Sequence, residues 1–152
     1  MPADATDPEA PRAGRAIRLS HGLRRIVAPN PSPMTFWGTN TYLLGERGVA
    51  VIDPGPDVQT HREAIMAALA PGQRITHILV THAHVDHSPL ARPLAEATGA
   101  PVLAFGDARA GRSPVMAQLA AEGLAGGGEG VDAAFAPDIV LPDGAEVAGD
   151  GW

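Results

Sequence analysis

Hydrophobic positions in this chain come in short runs separated by clusters of Pro, Gly, Asn and Asp, without long helical stripes. Residues 17–28 alternate weakly and stop at Pro29-Asn30-Pro31-Ser32-Pro33, which predicts a first strand. Residues 36–44, ending in Asn40-Thr41-Tyr42-Leu43-Leu44, predict a second, and Val49-Ala50-Val51-Ile52 a third. The short polar link Gly45-Glu46-Arg47-Gly48 joins those two as a hairpin. Asp57 or Thr60 can then cap a helix reaching residue 70, with Val58, Ile65, Met66 and Leu69 on its buried face and Pro71-Gly72 ending it. His61 lies on this helix among polar neighbours and is expected at the surface.

Residues 75–81 are almost continuously apolar, as suits a strand covered on both faces, and His77 within them is read as structural. A helix is expected within residues 88–98, closed by Gly99. It starts after Pro89, because Pro93 is tolerated only near a first turn. Residues 101–105 predict another strand and residues 115–124 a further helix. The glycines between positions 126 and 130 have no Walker-type Lys and no G-x-G-x-x-G spacing, so they read as a plain linker. Residues 139–141 and 145–147 flank Pro142-Asp143-Gly144 and predict a hairpin-like turn. Strand, helix, strand, helix, strand is a βαβ pattern, so the fold class is α/β with a mixed or parallel sheet.

Composition narrows the picture. The 152 residues make one domain: a polar, Pro-rich leader at 1–15, expected to be disordered, then a folded unit at 16–152. At 45% hydrophobic and 18% charged the chain is composed like a globular protein. It has no cysteine, which excludes disulfides and thiolate ligands. The acidic start has no apolar core of a signal peptide, and no run reaches the length of a membrane span, so the expectation is a cytoplasmic protein. A net charge of −6 argues against broad nucleic-acid binding. Arg12, Arg15, Arg18, Arg24 and Arg25 have no interleaved aromatics to stack bases and read as solvated surface.

Candidate chemistry concentrates in Thr81-His82-Ala83-His84-Val85-Asp86-His87, which follows the apolar run Ile78-Leu79-Val80. Three imidazoles and a carboxylate converging on a small volume suit a divalent metal, since both donor types bind zinc at about 2.0–2.2 Å. One loop of this spacing can serve two neighbouring ions, His82 and His84 the first, Asp86 and His87 the second. Asp53 ends the third strand ahead of Pro54-Gly55. Its carboxylate either caps the turn by accepting backbone N–H bonds or stands behind the metal loop and orients a ligating histidine.

The His82–His87 cluster, the Asn40–Leu44 strand and Val51-Ile52-Asp53-Pro54-Gly55 together resemble the metallo-β-lactamase superfamily, the αββα-sandwich metallo-hydrolases. Within it the chain is similar to the lactamase-beta-like and glyoxalase-II-like hydrolases. The resemblance implies the first αβ half of that sandwich and two zinc ions. It also implies Asp86 as the catalytic residue that positions the metal-bound water, and Asp53 as the buttress of the loop. The implied reaction is hydrolysis of a small-molecule ester, thioester, lactone or phosphoester, with a nuclease as a narrower alternative. The family pattern then needs a further Gly-His, a bridging Asp and a last histidine, whereas no histidine follows His87 here. The chain therefore resembles an N-terminal half with two protein ligands per ion and an uncovered sheet face. The expectation is self-association or pairing with a C-terminal half, and the competing reading is a catalytically inactive fragment or assembly partner.

Overall fold

The structure, a computed structural model, describes residues 11–123 and 130–152. Seven strands form one mixed sheet in sequence order: β1 (Ile17–Ser20), β2 (Leu23–Val27), β3 (Asn40–Leu44), β4 (Gly48–Ile52), β5 (Arg74–Leu79), β6 (Val102–Ala104) and β7 (Ile139–Val140). Pairing is antiparallel from β1 to β4 and parallel from β4 to β7. Helices α1 (Gln59–Ala67), α2 (Ala91–Thr98) and α3 (Pro114–Ala121) make the connections between the parallel strands. The α/β class with a mixed sheet is the one the sequence pattern predicts.

Register explains the burial. Leu43 pairs with Val51, Val51 with Ile78 and Ile78 with Val102, and all four are buried on one face. Ile65 of α1 and Leu94 of α2 join them in a single apolar cluster. The alternate row Tyr42–Ile52–Leu79–Leu103–Ile139 points to the opposite face, as a two-residue period requires. That row lies outside the core cluster; Tyr42, Ile52 and Leu79 are half-buried and Ile139 is exposed.

Several expectations are corrected. The first predicted strand is two, because Gly22 adopts a left-handed φ of 69° and turns the chain into a β1–β2 hairpin. Helix α1 has Val58 at its N-cap with no side-chain cap, so neither Asp57 nor Thr60 plays that part. Met66 is exposed, and His61 is fully buried in its place. The i, i+4 pair His61 and Ile65 defines the inward face despite the polar residues around His61. The turn expected at Pro142-Asp143-Gly144 is present, closed by Ala145 N–H on Pro142 O (3.0 Å), but its flanks do not pair as a hairpin. Asp138 N–H donates to Val102 O and Leu141 N–H to Ala104 O, so Ile139-Val140 is captured by the open edge of β6 as a parallel strand, and 145–147 form none. Residues 126–129 of the glycine linker and residues 1–10 of the expected leader lie outside the described residues. Among the described residues no helix is long and apolar enough to cross a membrane.

Candidate metal centre

Parallel strands β4 and β5 deliver both halves of the site at their C-terminal ends, where α/β sheets usually bind ligands. Asp53 follows β4 directly with φ 49°, a left-handed conformation that Asp tolerates better than most residues. Its N–H donates to Leu79 O (2.8 Å). Its carboxylate accepts from Thr81 N–H (2.8 Å) and from the Thr81 hydroxyl (2.8 Å to Oδ2). Gly55 N–H reaches His87 O (2.9 Å) and Leu90 N–H reaches Gly55 O (3.1 Å), so the Asp53 turn grips the loop from 81 to 90 along one side. A side chain at Gly55 would sit 3.2 Å from the His61 ring, and its φ is +94°, so glycine suits this close approach.

The other side of the loop is held by residues 130–132, a segment that no local pattern marks. His84 and Val131 form an isolated antiparallel bridge, with Val85 N–H on Gly130 O (3.1 Å) and Asp132 N–H on Ala83 O (2.9 Å). The Ser88 hydroxyl donates to Asp132 Oδ2 (2.9 Å). Asp132 thus ties the two segments together with both its backbone and its side chain.

Within this clamp the histidines converge. Ring centroids lie 4.5 Å apart for His82 and His84 and 4.2 Å apart for His82 and His87. Proton positions follow from the partners. The single Thr81 hydroxyl proton goes to the Asp53 carboxylate, so His82 Nδ1, 2.9 Å from that oxygen, must be the donor, leaving His82 Nε2 as a bare lone pair. His87 sits between two carboxylates, Nδ1 3.0 Å from Asp53 Oδ2 and Nε2 3.2 Å from Asp86 Oδ2. Its Nδ1 is close to Asp53 but not aligned for a good hydrogen bond. The Thr39 hydroxyl donates to Asp86 Oδ2 (3.2 Å), and Asn30 Oδ1 in turn receives Thr39 N–H (3.0 Å). Behind Asp53, Thr41 donates its hydroxyl proton to Asp53 O (2.7 Å) and contacts His61 Nε2 (2.9 Å).

Electrostatics follows the geometry. Burial lowers the His82 pKa, and the neighbouring His87 and His84 push the same way, so this ring is held neutral. Burial would also lower His87, yet the close contact with the charged Asp53, with Asp86 behind it, outweighs that and raises it. For Asp53, burial acts to raise the pKa, but the contacts with His87 and Thr81 win and lower it. His61 is pushed down to about 4 by burial, opposed only by the Pro54 carbonyl.

The Asp53 carboxylate accepts Thr81 N–H across the sheet and lies against His87 Nδ1, the placement from which it could orient that ring. Thr39, Thr41, Ser88 and Asp132 are the supporting residues that sequence reasoning missed. Hydroxyls carry no spacing signal, and Asp132 is brought in by tertiary pairing. The donor set suits a divalent ion in its chemistry: neutral imidazole at His82 with a bare nitrogen, and a carboxylate facing His87 Nε2. The cage is open, however, since among the described residues no three His, Asp or Glu side chains are grouped tightly enough to hold an ion by themselves.

The sequence model of the metallo-beta-lactamase superfamily matches residues 34–152, and the chain belongs to that superfamily. A beta-lactamase-like protein 2 homolog of Caenorhabditis elegans is 41% identical over 73 residues, 46% of this chain and 25% of that protein. An atrochrysone carboxyl ACP thioesterase of Aspergillus fumigatus is 36% identical over 72 residues, 46% of this chain and 23% of that protein. The matched stretch thus spans about a quarter of each of these relatives. In fold the chain is similar to a metallo-beta-lactamase from Cronobacter sakazakii (TM-score 0.57, 23% identity, 88% of this chain and 50% of that one). It is similar also to BJP-1, a subclass B3 metallo-beta-lactamase of Bradyrhizobium japonicum (TM-score 0.59, 19% identity, 91% and 48%).

Proposed function

We propose that this chain carries the metal loop of a zinc-dependent hydrolase, with His82 and His84 serving one ion and Asp86 and His87 a second. The observation that supports this most is the convergence of three imidazoles with Asp86, braced by Asp53, Thr81 and Thr39. A nitrogen and oxygen donor set without thiolate suits zinc, which when bound supplies a water that ionises near pH ~7 and polarises a scissile carbonyl or phosphoryl oxygen. The chain's own residues do the positioning. Thr81 holds His82 by Nδ1 and leaves Nε2 free to bind, Asp53 steadies His87 at Nδ1, and Thr39 orients Asp86 as the acceptor of the attacking water's proton. Esters, thioesters, lactones and phosphoesters are the bonds such a site can break. The thioesterase names among the fungal relatives favour a thioester as first test substrate.

One observation favours a second reading. Two protein ligands per ion fall short of the three that zinc sites want, and the described residues make no closed cage. By itself the 152-residue chain would then be a weak metal binder and a poor catalyst, needing a further segment or chain to complete the site. Elemental analysis after dialysis against a mild chelator, run beside a thioester hydrolysis assay, tests both. Retained zinc that is lost in His84→Ala supports the leading proposal, and metal content indifferent to that substitution overturns it. Two tightly retained equivalents per chain with efficient turnover would overturn the second reading.

A further inference from the structure

A cavity of about 640 Å³ opens beside the His82–His87 loop, lined by His82 and His84 and, among its other residues, by Arg112. That volume lies within the range of about 300–1,000 Å³ typical of small-molecule sites. Its wall is apolar, made by Phe105, Met116, Val131 and Phe135. Phe105 (54% exposed), Met116 (43%) and Val131 (38%) are large side chains left open to solvent, and all three face this one concavity. Apolar residues scattered singly over a surface need no explanation, but three gathered around a hollow beside reactive groups do. Met116 is held there by the cap of α3, where the Ser113 hydroxyl accepts its N–H (3.2 Å).

Arg112 is the cation of this cavity. Its Nη2 donates to Ala108 O (3.0 Å), which fixes the arm, and among the described residues it makes no ion pair. Asp107 also lines the cavity, but its carboxylate accepts the N–H of Arg109 (2.8 Å) within its own turn. A protein of net charge −6 thus presents an arginine that has no carboxylate partner among the described residues at an apolar hollow, with further N–H groups available.

We propose that this cavity is the acyl pocket and takes an ester or thioester whose apolar acyl body carries a second, anionic group held by Arg112. The hydrolysable carbonyl would lie beside His82 and His84, which rests on the hydrolase reading given above; the apolar wall takes the body of the acyl group. Arg112 is the specificity-determining residue, since charge-assisted pairing with a carboxylate is stronger than a neutral contact and is lost with a neutral acyl chain.

Binding of unreactive probes tests this without metal, so its outcome is independent of whether the loop holds zinc. Decanedioate and 1,10-decanediol are titrated by NMR into the 152-residue chain in the presence of EDTA. The wild type is expected to bind decanedioate. Arg112→Ala should weaken that binding about tenfold or more, with Arg112→Lys recovering part of it, while leaving the diol unchanged. Met116→Asp should weaken both probes. Met116 and Arg112 are exposed, and unchanged circular dichroism confirms that the variants remain folded. The proposal is overturned if the folded wild type binds no decanedioate. It is equally overturned if Arg112→Ala affects the diol as much as the diacid, or if Met116→Asp affects neither. Loss of zinc in His84→Ala with no probe binding would leave a metal site and remove the pocket; probe binding with metal content indifferent to His84 would do the reverse.

Discussion

His61 should make the folded protein sensitive to acid well above the carboxylate range, and replacing it should reverse the order of stability with pH. The ring is fully buried, and Thr41 spends its one hydroxyl proton on Asp53 O. His61 Nε2 must therefore donate to Thr41, leaving Nδ1 bare and without an aligned partner. Adding a proton at Nδ1 would bury a charge, and burial accordingly lowers the pKa from 6.5 to about 4. A histidine whose folded pKa is depressed contributes its full share of stability above the unfolded value. That share is lost as pH falls from about 6.5, where the unfolded chain takes up the proton, to about 4, where the folded one does too. At about 1.4 kcal/mol per pH unit the loss is about 3 kcal/mol in all, and about 2 kcal/mol is gone by pH ~5. His61→Leu removes the titration and one buried hydrogen bond, which costs about 1 kcal/mol at pH ~7.5. Urea unfolding followed by circular dichroism should find the wild type the more stable by about 1 kcal/mol at pH ~7.5 and the less stable by about 1 kcal/mol at pH ~5. Taking the difference between the two proteins cancels every other titrating group. A stability difference that stays the same at both pH values would refute the reasoning.

Three further outcomes follow from the same geometry. Asp53→Ala removes the acceptor of Thr81 N–H and hydroxyl and should cost about 2–3 kcal/mol by urea unfolding, while the His87 pKa read by NMR falls. Ser88→Ala cuts the link to Asp132 and should cost about 1 kcal/mol, with faster hydrogen exchange at the Val85 and Asp132 amides. The apolar row through Tyr42, Ile52 and Leu79 should drive self-association, at roughly 25 cal/mol per Å² of apolar area covered. Sedimentation should then show oligomers that Ile52→Lys dissociates, and a wild-type monomer across a wide concentration range would count against it.

Local pattern was enough to give the fold class, the positions of five of the seven strands, and the cluster of imidazoles and carboxylate that the fold brings together. Strand periodicity and the His-x-His-x-Asp-His spacing are properties of neighbouring residues, and the chain carries them whether folded or not. The break at Gly22 was also written in the sequence, since only a left-handed turn lets residues 17–27 fold back as a hairpin. What the sequence could not supply was partnership between distant segments. His61 looked exposed because its neighbours are polar, yet the sheet buries whatever shares a face with Ile65. Residues 139–141 had no local reason to leave their hairpin; the unpaired edge of β6 supplied one, because backbone N–H and C=O groups must be satisfied. Asp132, Ser88, Thr39 and Thr41 hold the loop only because tertiary contacts join residues 12 to 49 positions apart along the chain. Which side chains the loop carries is set by its spacing, and their orientation and charge by long-range hydrogen bonds that exist only once the sheet has closed.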